Sequence, residues 1–127
     1  MSEHDEQAAL IQWAQMQSGA VPELALLFAI PNGGARHIAV ARKLKAEGVR
    51  AGTPDLMLPV ARRAFHGLFI EMKVKPNKLT PAQEEFKKAL IHQEYAVFVC
   101  YGFEMAQRVL NWYLGVTEWV EVREVAA

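Results

Sequence analysis

The chain of 127 residues leaves room for one compact domain and little more, and with 52% apolar and 22% charged residues it can bury a core, unlike a disordered chain. No apolar run reaches the ~18 residues of a membrane span, and the acidic, polar start from Met1 to Gln7 is unlike a secretory signal. Cys100 is the single cysteine, which excludes an internal disulfide; with the apolar Val97, Phe98 and Val99 before it, it reads as a buried thiol in a soluble, intracellular protein.

In chain order, Glu3 to about Gln17 is helical, with Leu10, Ala14 and Gln17 along one side and Trp13 beside them. The apolar run Leu24 to Ile30 reads as a strand ending in the turn Pro31-Asn32-Gly33-Gly34. Ile38, Ala41 and Lys45 sit at helical spacing, and Gly48 offers the C-terminal stop. After Thr53-Pro54 come two strands, Asp55 to Val60 and Gly67 to Val74. Thr80-Pro81-Ala82-Gln83 then opens a helix to about Gln93, with a capping residue, a proline at the first position and a glutamine at the third. Ala96 to Tyr101 is a buried strand, and Gly102 leads into a last helix ending near Gly115. The expected domain is therefore 1–115. The tail, 116–127, alternates weakly and is expected as an edge strand, a dimer contact or neither. This order predicts an α/β sandwich, a central mixed sheet flanked by helices.

The zero net charge is unevenly spread. Between Asn32 and Lys88 lie 12 of the 14 basic residues and 5 of the 14 acidic ones, a local balance of 12 − 5 = +7. That pattern fits one basic surface facing a polyanion, and equally an ordinary sorting of surface charge.

In the strand from Gly67, alternation puts Leu68, Ile70, Met72 and Val74 on one side, and Glu71 and Lys73 on the other, roughly 6.6 Å apart. Charges in a mostly buried strand are costly unless they serve something, an exposed edge pair being the bland reading. A hairpin joining Val60 to Gly67 pairs residues whose numbers sum to about 127. Asp55 then faces Met72 with Glu71 and Lys73 as neighbours, and a slip of one residue brings it directly opposite one of these. Crowded carboxylates repel, and a divalent cation relieves them; hard oxygen ligands suit magnesium or manganese. The four histidines lack zinc-ligand spacing. Glu6 shares a helix face with Leu10, Trp13 and Gln17, which suits either a partner at the metal edge or an exposed first-turn carboxylate. Gln83 projects towards the site or serves only its capping box. Asn32, Gly33 and Gly34 form a plain turn or a phosphate-approaching one, and Arg36, Arg42, Lys43, Lys45 and Arg50 are candidates to hold a phosphate backbone.

Pro54-Asp55 followed by Glu71-Met72-Lys73 resembles the signature of the PD-(D/E)XK nuclease superfamily, whose fold is the restriction-endonuclease-like sandwich. The extension Gly48-Val49-Arg50-Ala51-Gly52-Thr53 before it, Lys78-Leu79-Thr80-Pro81-Ala82-Gln83 after it, the upstream Ile30-Pro31-Asn32-Gly33-Gly34 and Glu6 are together similar to the virus-type replication-repair nuclease (VRR-NUC) domain. The resemblance covers about residues 3 to 115, as expected of a stand-alone version. It implies that Asp55, Glu71 and the Met72 carbonyl bind a magnesium or manganese ion, with Glu6 completing the shell. It also implies that Lys73 acts on the attacking water, that Gln83 orients the site, and that the protein is a homodimer. The expected activity is metal-dependent DNA cleavage, selective for branched or junction DNA. A sequence-specific restriction-type enzyme and a non-catalytic DNA-binding protein are the alternatives.

Overall fold

The computed structural model describes residues 1–32 and 37–118. Helix α1 (Glu3–Gln17) is opened by a capping box between Ser2 and Asp5 and buries Leu10 and Ala14. A 3-10 turn over Pro22–Leu26 precedes the two-residue strand β1 (Phe28–Ala29), so the apolar run after Leu24 is mostly not strand. Proline at the head of that turn sets its φ, and local i→i+3 bonding takes up the amides that a strand would have offered. Helix α2 (Ile38–Ala46) ends at Glu47, with Gly48 at φ 101°. Strand β2 (Leu56–Leu58) and strand β3 (Leu68–Lys73) are shorter than the sequence suggests; helix α3 (Pro81–His92), strand β4 (Ala96–Tyr101) and helix α4 (Phe103–Tyr113) lie as expected.

The sheet order is β1-β2-β3-β4, antiparallel across the first two pairs and parallel between β3 and β4, so the sheet is mixed. One face, built from Leu56, Leu58, Leu68, Ile70, Met72, Phe98 and Cys100, packs with Leu10 and Ala14 of α1 and with Val109, Leu110 and Tyr113 of α4. Helix α3 packs against β4. The Cys100 thiol is fully buried and is pushed up to about 12 by that burial, as an inert core group should be. The expected tail strand falls mostly in 119–127, outside the described residues.

The β2–β3 register departs from the expected one by a residue. At the turn, Arg62 bridges Phe65 around Arg63 and Ala64, both at positive φ, and these numbers sum to 127. Along the strands the pairs are Leu58↔Leu68, Met57↔Phe69 and Leu56↔Ile70, which sum to 126. The extra residue is absorbed around Pro59, which has no amide to give the ladder, and Val60 turns back to bond the Leu58 carbonyl at 2.9 Å. The buried Tyr113 hydroxyl fixes this bulge, donating to the Val60 carbonyl at 2.6 Å and accepting from the Arg62 amide at 3.3 Å.

Candidate active site

The one-residue shift is what builds the site. Carried one step past Leu56, the register sets Asp55 across from Glu71, and a further step sets Pro54 across from Met72. The Met72 amide donates to Asp55 Oδ2 at 2.7 Å, so the Met72 carbonyl points towards the same neighbour, because both groups of a strand residue face one side. Pro54 has no N–H to offer that carbonyl. The Pro-Asp pair thus supplies one carboxylate and leaves an acceptor beside it. The Asp55 carbonyl in turn accepts from Ile30 at 2.8 Å, which anchors the residue to the end of β1.

Glu71 and Lys73 are only 5% and 8% exposed, which rules out a solvated edge pair. Burial, the Asp55 charge and a hydrogen bond with Asp55 push the Glu71 carboxyl up to about 9, with Glu3 adding and Lys73 opposing. Asp55 is raised too, chiefly by burial, against the pull of the Met72 amide and of Glu71. Both shifts run the same way: without a cation, burial and mutual repulsion disfavour two full negative charges on this pair.

Gln83 fills both of its expected roles. Its Oε1 accepts from the Thr80 amide at 2.9 Å, completing the capping box of α3, and its Nε2 donates to Glu71 Oε1 at 3.1 Å. The loop before Asp55 is pressed onto the same helix turn. A Cβ on Gly52, at φ 87°, would stand 2.6 Å from the Ala82 carbonyl oxygen, so only glycine allows this approach.

Glu6 lies elsewhere. Its Oε2 accepts from the Phe103 amide at 3.0 Å and so caps α4, whose own N-cap, Gly102, has no side chain to do it. The acidic side chain of α1 whose charge reaches both Asp55 and Glu71 is Glu3, half-buried in the first turn. The signal was present in the sequence: Glu3, Gln7, Leu10 and Ala14 follow i, i+4, i+7, i+11, and the last two are the buried residues of the helix. Among the described residues no group of three or more His, Cys, Asp or Glu is close enough to hold a metal ion. Two carboxylates and a carbonyl still fit magnesium, which keeps much of its water shell and is commonly held by one or two carboxylates.

The basic residues divide. Arg62 pairs with Glu23 at 2.8 Å, and Arg63 lies 4.4 Å from the Trp112 ring centre, so both are engaged by the body of the protein. Arg42, Lys43, Lys45 and Arg50 are exposed, and Asn32, Lys45 and Arg50 border one cavity. Gly33, Gly34 and Arg36 lie outside the described residues.

A mixed sheet with an acidic pair and a lysine at the adjoining ends of two antiparallel strands is the arrangement of a PD-(D/E)XK nuclease. The VRR-NUC domain model matches residues 1–104, and the chain belongs to that nuclease family. A solved VRR_NUC domain protein is similar over 92% of this chain and 91% of its own, at 29% identity and a TM-score of 0.75. No curated protein matches the chain. No helix among the described residues is long and apolar enough to cross a membrane.

Proposed function

We propose that the chain is a magnesium- or manganese-dependent endonuclease that hydrolyses DNA phosphodiester bonds and favours branched DNA. The observation that carries this is the buried Glu71 crowded against the half-buried Asp55, a repulsion that a divalent cation would relieve, with Lys73 two residues on. Asp55, Glu71 and the Met72 carbonyl would hold the ion, and Glu3 would act on it from α1. When bound, it supplies positive charge for the phosphoryl oxygens. Lys73 orients the attacking water and exchanges its proton. Gln83 fixes the Glu71 carboxylate for that work. Arg42, Lys43 and Arg50 take the phosphate backbone without reading bases. Two copies about a two-fold axis would match the approximate symmetry of a four-way junction and engage two phosphates together.

The experiment is a magnesium titration with linear, flap and four-way DNA, run beside light scattering. Cleavage that needs the ion, stops in chelator and is fastest on branched DNA is expected. Full activity in chelator defeats the metal assignment, and a strict monomer cutting linear duplex as fast as a junction defeats the branched preference.

A further inference from the structure

Beside the candidate site is a cavity of about 690 Å³, within the ~300–1,000 Å³ of typical small-ligand sites. Its walls include Ala41 and Leu44 of α2, Val49 and Arg50 of the loop leading to Asp55, and Phe86 of α3, with Lys45 adding a second charge. Helix α2 buries no residue among those described, and Ala41 and Leu44, one turn apart, are its only half-buried positions. Among the described residues, the apolar stripe of this helix faces the cavity rather than the core, which leaves room there for a ligand.

We infer that this cavity receives an unpaired nucleotide of the DNA substrate, its base against Phe86 and Leu44 and its phosphates at Lys45 and Arg50. Three features point to that occupant. Among the described residues the lining carries the cations Lys45 and Arg50 and no acid, which suits a polyanion. Phe86 offers the aromatic face on which an unstacked base is held irrespective of sequence, while a paired base cannot leave its stack to reach it without cost. The cavity also shares walls with the site: Phe86 is one turn of α3 beyond Gln83, which touches Glu71, and Arg50 begins the loop that Gly52 presses onto α3 before it reaches Asp55. A strand crossing the carboxylates therefore has its next nucleotides at the cavity mouth. Branched DNA supplies splayed nucleotides next to duplex, which gives the proposed preference a physical cause. The inference rests on the nuclease reading.

The test uses the full chain in calcium-containing buffer, with a short 5′ flap whose unpaired bases are 2-aminopurine or 5-iodouracil, and a blunt duplex of the same sequence. In the wild type, 2-aminopurine emission should fall on binding, and irradiated iodouracil should crosslink to Phe86 or Leu44 in peptide maps. Phe86→Leu, which keeps an apolar wall, should weaken flap binding roughly five- to tenfold and leave blunt duplex unchanged. Unchanged emission with crosslinks mapping elsewhere overturns the inference even if the variant fails to fold. So does an equal loss for both DNAs in a folded Phe86→Leu. Cleavage of any DNA in manganese, flap or blunt duplex, reports separately on the nuclease reading. If it persists while the cavity ignores the flap, the inference alone fails; if it is absent while flap bases still enter the cavity, the nuclease reading alone fails.

Discussion

Replacing Glu71 with glutamine should strengthen the metal-free protein while ending its capacity for cleavage. The Glu71 carboxyl stands at about 9 instead of 4.5, through burial first and the Asp55 charge second. A group raised in the folded state contributes its full stability below the unfolded value, and that contribution is lost as pH rises towards the folded one. Each pH unit in this window is worth at most about 1.4 kcal/mol, so near pH 7 the wild type has given up at most about 3 kcal/mol. Glutamine has no proton to lose and can still accept from Gln83 Nε2. For a domain of this size the difference is a rise in Tm of up to ~10 °C. Thermal unfolding in chelator from about pH 5 to about pH 9 reads it directly: the two proteins should coincide at the acid end and diverge as pH rises. A Glu71→Gln protein that melts with or below the wild type near pH 8 would refute carboxylate crowding as the organising feature of the site.

The two acids of α1 should separate cleanly. Glu6→Ala removes the cap on α4 and should cost about 1 kcal/mol in thermal unfolding, while Glu3→Gln should weaken manganese binding in calorimetry with no loss of Tm; the opposite pattern returns the metal role to Glu6. Lys73→Ala should bind DNA normally yet cut at least ~100-fold more slowly in single-turnover assays, and normal turnover with lost binding would make Lys73 only a phosphate contact. Changing Arg42 and Lys43 to glutamine should weaken binding to flap and blunt duplex alike and lower the salt slope of log K by up to about 2. An unchanged slope would remove Arg42 and Lys43 from the DNA face.

Where a local rule decides the structure, the sequence shows it. The capping box of Thr80 and Gln83, the stop at Gly48 and the alternation of β3 all follow from neighbours a few residues apart, and each lies where expected. The proline opening Pro22–Leu26 is a local sign of a turn rather than a strand. What is lost is set by distant partners. The bulge at Pro59 depends on Tyr113, more than fifty residues away, and it moves Asp55 from a position opposite Met72 to one opposite Glu71. Glu6 and Glu3 lie three residues apart on one helix, and only the placement of α4 determines which of them is taken by the Phe103 amide.

A glutamate at position 83 would serve the helix as well as Gln83 does, because the capping box needs only an acceptor at its third position. The two residues part company at the other end of the side chain. An amide has a donor to spare for Glu71; an ionised carboxylate has none and would add a further negative charge beside two carboxyl groups that already crowd each other. The rules of helix formation leave this position ambiguous, and the chemistry of the neighbouring strand resolves it. One side chain thereby joins the start of α3 to the site, so a change in the charge on Glu71 alters a hydrogen bond made by the opening turn of that helix.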